Sequence, residues 1–275
     1  MKTAMLGLLA ETSVHPGSGR GVGVVDLPVA RETATDYPVL VGSSLKGALR
    51  DKMKTTAPDE AEICFGNPQE AGNLMVSDGR LLLLPVRSLT GSYRWVTCRH
   101  LIERFGRDMA RAGLGPKPDV PCVEQGTALT AGSGELFLDE RQFSIVNEPD
   151  DRLPALAAAI EPMLLHPETR ARLPDQIAVL NDNDFAWFGR YGLSIQARNR
   201  LEGATKRSES LWFEETLPPD TVMYTLISGR TDDALGALDG LFPDADPYLQ
   251  AGGNETVGQG WFAVRTRRAH TGGSQ

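Results

Sequence analysis

Cysteine and histidine are scarce in this 275-residue chain, with three of the first and four of the second. Cys64, Cys98 and Cys122 lie far apart and no CxxC pair exists. That excludes a disulfide framework and a cysteine-rich zinc module, and a reducing, cytoplasmic setting is expected. Cys98 and His100 are neighbours in sequence, but two ligands do not make a zinc site. Long apolar runs are missing too. Runs such as Leu81–Val86 are far too short to span a bilayer. The N-terminal MKTAMLGLLA is followed by Glu11 where a small-residue cleavage site would sit, so it reads as a first strand and not as a signal peptide. Positive charge is in deficit: Lys and Arg number 28 against 36 Asp and Glu, a formal net charge of −8. Indiscriminate coating with a polyanion is therefore excluded. The remaining composition, 41% hydrophobic and 23% charged, excludes disorder, collagen and coiled coil as global descriptions.

The average charge hides local asymmetry. Arg80–Lys117 holds eight bases against Glu103 and Asp108, and Trp187–Arg207 holds five bases against Glu202. The stretch 135–151 has six acids against Arg141. Separate basic and acidic surfaces would let a protein grip a polyanion on one side, although a single charge run is more often a solvated face.

Hydrophobic patterning predicts strands over 2–13, 80–86, 222–227 and 261–265, with further extended segments at 22–27, 39–41 and 134–145. A helix should open at Ser43-Ser44, with Ser44 as N-cap and Leu45, Ala48, Leu49 and Met53 on its apolar stripe. Others are expected over 96–113, 151–165 and 232–241, with 174–187 mixed. A hairpin should run out along Leu193–Arg200, turn at 203–207 and return along Ser210–Glu215. The order strand, helix, strand, long hairpin, strand, helix, strand predicts an α+β chain on the β-α-β-β-α-β plan of ferredoxin-like and RRM-like domains.

Four constellations carry chemistry. In Gly42-Ser43-Ser44-Leu45-Lys46-Gly47-Ala48-Leu49-Arg50, a helix N-terminus and the i, i+4, i+8 row Lys46, Arg50, Lys54 would hold a phosphate backbone without reading bases. A solvated basic helix edge accounts for the spacing equally well. The segment Gly252-Gly253-Asn254-Glu255-Thr256-Val257-Gly258-Gln259-Gly260 is neither a Walker loop nor a Rossmann fingerprint, because a strand follows it. Its glycines suit close approach to a flat or charged ligand, or simply a tight loop. His15 and Asp26 flank a Gly-rich loop, and a loop carboxylate can hold a divalent cation or take a proton. An Asp near Pro is also a common turn former. The hairpin over 192–215 carries Arg198, Arg200, Lys206 and Arg207 with Trp212 and Phe213 at its base, a composition suited to RNA phosphates and stacked bases.

These motifs together resemble the RAMP superfamily of CRISPR proteins, and within it the backbone-subunit family of the type III-B Cmr effector complex. The resemblance rests on HPGSG…GVVDLPVARE (15–32), YPVLVGSSLKGALRD (37–51), SDGRLLLLPVRSLTGSYRWVTC (77–98), GELFLDE (134–140), LNDNDF (180–185), LWFEETLPPDT (211–221) and GGNETVGQG (252–260). It implies one RAMP domain over 1–275. The palm would comprise 1–56, 77–90, 134–146 and 220–268, helical insertions about 57–133 and 147–191, and a β-hairpin thumb about 192–215.

It also implies that copies stack head to tail along a guide crRNA, beside other Cmr subunits and away from any membrane. Ser43, Ser44, Lys46, Arg50, Arg198, Arg200, Gly252, Gly253, Asn254 and Gly258 would meet RNA. Target RNA paired to the guide would be cut at regular intervals in a metal-dependent reaction, with Mg2+ or Mn2+ as the cofactor. The family's catalytic aspartate falls on Asp26, which would also bind the metal, its loop histidine on His15, and its thumb-base glutamate on Glu214 or Glu215. Relatives often carry an aromatic residue after that acidic pair, where this chain has Thr216. A non-catalytic guide-binding scaffold and a metal-independent precursor-processing enzyme with His15 as base are the competing expectations.

Overall fold

The computed structural model describes residues 2–21, 23–146 and 152–269. Val22, the expected helix start at Asp151 and the tail from His270 onward lie outside the described residues.

In chain order, β1 (Thr3–Ala10) and β2 (Val39–Leu40) lead into α1 (Gly42–Thr56) and α2 (Pro58–Phe65). Next come β3 (Leu74–Val76), β4 (Gly79–Arg87), β5 (Tyr93–Cys98) and α3 (Arg99–Ala112). A third group holds β6 (Thr127–Thr130), β7 (Glu135–Leu138), β8 (Arg141–Val146), α4 (Arg152–Ile160) and α5 (Pro167–Gln176). Then β9 (Ile177–Leu180), α6 (Asp182–Tyr191), β10 (Ser194–Leu201) and β11 (Ser208–Thr216) follow. The chain closes with β12 (Val222–Gly229), α7 (Asp232–Gly236), β13 (Tyr248–Gln250) and β14 (Trp261–Arg268).

Four of these strands, in the order β14-β1-β12-β4, form antiparallel neighbours. Numbered by appearance they read 4-1-3-2, the sheet expected of the β-α-β-β-α-β plan. The sheet continues through β5, β9, β6, β8 and β7, so the segment 134–146 lies at its far end, away from β1. It is a hairpin of two strands, not the single strand that its alternation suggests.

Every residue of β1 is buried, because helices cover both faces of the sheet. Ala4, Leu6 and Leu8 pack with Leu45, Leu49 and Met53 of α1 in one core. Met5 and Leu9 pack with Ile102 and Phe105 of α3 in the other. Each Leu so enclosed contributes about 1.5–3 kcal/mol. Gly7 is required by close approach: a β-carbon there would stand 2.0 Å from Met163 O, in the 3-10 turn over β1.

Several local expectations change. The helix begins at Gly42, and Ser44 makes no side-chain cap. The Gly42 N–H donates instead to Asp78 Oδ1 at 2.7 Å, a carboxylate brought in by the loop before β4. The helix expected over 96–113 starts only at Arg99, because Tyr93–Cys98 is captured as a strand by β4 and β9. The stretch after Asp26 joins the hairpin by one bridge and forms no long strand. The α-helix expected over 232–241 ends at Gly236 and continues as turns.

Candidate functional site

The β1–β2 connection is bound to the base of the β10–β11 hairpin. Val14 and Leu217 exchange backbone hydrogen bonds of 3.0 and 2.8 Å, which sets His15 beside Glu215. His15 Nδ1 lies 2.8 Å from Glu215 O. A carbonyl can only accept, so Nδ1 carries a proton and donates it. The ring is buried, with Nε2 close over Gly17. Beyond it, the Ala30 N–H donates to Pro16 O and Gly17 bridges Val29, closing a narrow excursion that carries Asp26.

Asp26 is exposed and held on the hairpin. Its Oδ2 accepts the Phe213 N–H at 2.8 Å, while the Leu27 N–H donates to Phe213 O and the Glu215 N–H donates to Leu27 O. A short parallel strip thus runs along β11. His15 and Asp26 are anchored at positions two residues apart on it, roughly 7 Å by strand rise. The hairpin face that carries Phe213 is apolar and open. Phe213 is 40% exposed, and Leu211 and Ile195 are 59% and 56% exposed. The strand register puts all three on one side.

Both thumb-base glutamates are buried and committed. Glu214 accepts from Arg198 Nε at 3.0 Å and from Asn254 Nδ2 at 2.7 Å, joining the hairpin to the C-terminal Gly-rich loop. Glu215 accepts from Arg31 Nη2 at 2.7 Å and from the Val29 N–H at 3.0 Å. Each oxygen of both carboxylates accepts a hydrogen bond from within the protein, an arrangement suited to positioning. Arg198 is thereby occupied, whereas Arg200 meets Glu209 in a solvated pair that a phosphate could displace. Thr216 is fully buried.

Most of the remaining candidates border two clefts along α1. One, of about 430 Å3, brings Ser44 and Gly47 together with His15, Gly252 and Gly253. Gly252 has φ of +97°, and a β-carbon there would stand 2.9 Å from His15 O. The Gly253 N–H donates to that same oxygen, so the C-terminal loop is fastened to the His15 turn. The other cleft, of about 490 Å3, is lined by Ser43, Lys46 and Arg50 opposite the turn 66–71. Arg50 Nε is buried there with no hydrogen-bond partner. Asn254 and Gly258 flank a second 3-10 turn, Glu255–Val257, in left-handed conformations, with Gly258 on the surface. Asp78 already occupies the N-terminus of α1, so the basic side chains offer the anion contacts there, more than the helix end does.

Sequence reasoning missed Arg31 and Asp78. Arg31 lies within the quoted VARE segment, but its partner Glu215 is 184 residues away. Asp78 sits 36 residues from the helix end it caps.

Among the described residues no three His, Cys, Asp or Glu side chains converge as a metal cage. Asp26 offers one exposed carboxylate. This donor set fits Mg2+ in the mode in which it keeps several waters and is held by one or two carboxylates together with substrate phosphates. Cys98 is no ligand candidate: burial pushes its thiol up to about 12.

A 4-1-3-2 sheet with a protruding hairpin, its base bound by loops that follow β1 and precede β14, is the architecture expected of a RAMP protein. The RAMP superfamily profile matches residues 8–263, and the chain belongs to the RAMP superfamily. Within it, the chain is 36% identical over 299 residues to the CRISPR system Cmr endoribonuclease Cmr4 of Pyrococcus furiosus, covering 99% of this chain and 98% of that protein. It is 22% identical to the CRISPR system CMR subunit Cmr4 of Saccharolobus solfataricus over 93% of this chain and 94% of that one. The crystal structure of oligomeric Cmr4 from P. furiosus superposes with a TM-score of 0.79 at 29% identity, covering 98% and 100% of the two chains. A chain of the type III-B Cmr-beta complex bound to cognate target RNA has the same fold, with a TM-score of 0.76 at 20% identity over 97% of each chain.

Proposed function

We propose that this chain is the backbone subunit of a type III-B CRISPR effector complex. It binds guide crRNA along a filament of its own copies, and it cuts complementary target RNA at regular intervals as a metal-dependent endoribonuclease. The observation that carries this reading is Asp26, exposed and pinned to Phe213 at the base of the hairpin, in a chain 36% identical end to end to an endoribonuclease. The setting is cytoplasmic, in keeping with buried reduced Cys64 and Cys98. No helix among the described residues is long and apolar enough to cross a membrane.

The chemistry follows from the placement. RNA carries its own nucleophile, the 2′-OH, which stacked A-form geometry keeps out of line with the leaving 5′-oxygen. The open apolar face of Ile195, Leu211 and Phe213 is a wedge on which an unstacked base can rest. A displaced nucleotide frees its sugar to reach the in-line arrangement, and correct alignment supplies a large share of such a rate. Asp26 stands where that sugar–phosphate would lie. When bound, a divalent ion held by Asp26 and RNA phosphates supplies charge neutralisation at the reacting phosphate. The expected product ends in a 2′,3′-cyclic phosphate. Guide phosphates follow the two α1 clefts past Ser43, Ser44, Lys46 and Arg50 and meet the loop of Gly252, Gly253 and Asn254. Glu214 and Glu215 position the site and do not touch the reacting atoms.

The test is Asp26→Ala in the assembled complex. Target cutting is lost and target binding is retained. Equal cutting by the variant would overturn the assignment, and cutting that ignores EDTA would overturn the metal requirement.

A further inference from the structure

We infer that Arg31 is a positioning residue for RNA cleavage, a latch that fixes the thumb hairpin relative to Asp26; the inference rests on the function proposed above. Arg31 leaves the Asp26 loop and is largely buried, its side chain 17% exposed. Its guanidinium reaches three separate parts of the fold. Nη2 donates to Glu215 Oε1 on the returning thumb strand at 2.7 Å. Nη1 donates to Gly189 O near the end of α6 at 2.6 Å and to Asp36 O at 2.8 Å. The helix α6 leads within three residues into β10, the outgoing thumb strand. One side chain therefore grips the returning leg of the hairpin and the helix that leads into the outgoing leg.

The other side of the latch reaches Asp26. Glu215 Oε2 accepts the Val29 N–H, the last bond of the strip that holds Asp26 and Leu27 along β11. Arg31 supplies the fixed donor that aims this buried carboxylate at the Val29 N–H. A second clasp acts beside it: Arg190 Nε donates to Asp36 Oδ2 at 2.6 Å, tying the end of α6 to the turn that Arg31 also holds. The hydrogen bonds of Arg31 go to Glu215, Gly189 and Asp36, none of which lines the α1 clefts or belongs to the trio Ile195, Leu211 and Phe213, so its loss should act through geometry and leave the RNA contacts in place. A lysine keeps the charge but cannot span three acceptors in one plane, so Arg31→Lys is not a neutral exchange.

The experiment uses the assembled complex with Arg31→Lys or Glu215→Gln in this chain, each checked to be fully folded at the assay temperature. Single-turnover cleavage should fall by tenfold or more, toward the roughly 10²-fold expected of a misplacement of about 1 Å. Target affinity and guide loading should stay within twofold. In the free chain, amide exchange at Val29 and Leu27 should quicken at least tenfold in Arg31→Lys. Unchanged cleavage overturns the inference, as does a loss of binding in step with cleavage. If the wild-type complex cuts nothing, the endonuclease reading fails separately. Exchange then decides the latch: quickened exchange supports it and unchanged exchange at Val29 overturns it.

Discussion

Replacing Glu214 with alanine should destabilise the chain more than any exposed ion pair could. The carboxylate is 2% exposed and takes a hydrogen bond from Arg198 Nε at 3.0 Å and another from Asn254 Nδ2 at 2.7 Å. Breaking a fully buried pair from one side costs about 3–5 kcal/mol, because the partner charge is stranded. Here the partner is not fully stranded. The Arg198 side chain is 27% exposed and can turn to water, and Asn254 Nδ2 still has Gln259 Oε1 at 2.8 Å. The expected cost is therefore about 2–3 kcal/mol, near the penalty for orphaning a hydrogen-bonding group. At roughly 2–4 °C per kcal/mol for a chain of this size, the melting temperature drops by about 4–12 °C. Glu214→Gln keeps the shape and one acceptor, but turns an amide toward a donor, so it should lose about half as much. Differential scanning fluorimetry measures both. A shift under 1 °C for the alanine variant would refute the claim that this carboxylate clamps the hairpin to the C-terminal loop.

Two further outcomes concern charge. Burial raises the pKa of Tyr37 and Tyr224 beyond the ordinary phenol range, pushes that of Tyr93 up to about 12, and does the same to the Cys98 thiol. These groups stay protonated in the fold while the unfolded chain releases its protons. Their contribution is complete below the ordinary thiol and phenol values and is lost as the pH climbs from about 9 toward 12. Melting temperature should fall over that window, less steeply in Cys98→Ala; a flat profile would contradict this burial. For guide RNA, Lys46→Ala with Arg50→Ala should weaken binding and lower the log–log salt slope by roughly 1.4, at about 0.7 per single-strand phosphate contact. An unchanged slope would remove both residues from the RNA path.

The palm was legible because its strands are long and apolar. Thr3–Ala10 and Val222–Gly229 are buried at every position, and such runs announce central strands. The hairpin was legible for the opposite reason, since its bases, Gly203 and aromatics punctuate it. The insertion was not. Ile177–Leu180 is a four-residue apolar run that periodicity cannot assign, and Tyr93–Cys98 becomes a strand only because β4 and β9 flank it. The candidate site divides in the same way. Asp26, His15 and the C-terminal glycines stand in recognisable segments, and the fold brings them to one hairpin base. The roles of Glu214 and Glu215 were hidden, because a carboxylate's function depends on whether it is spent on partners. Theirs are Arg31, Arg198 and Asn254, only one of which lies on the same hairpin.

If Asp26 acts once per subunit beside a displaced nucleotide, a map of cut positions on end-labelled target RNA reads that action out. Complexes would be assembled from wild-type and Asp26→Ala chains in graded proportions. The cuts should be evenly spaced at positions that never move, each fading in proportion to the share of variant and vanishing in the all-variant complex while the target stays bound. Irregular spacing, or cuts persisting at full strength in the all-variant complex, would contradict that role of Asp26.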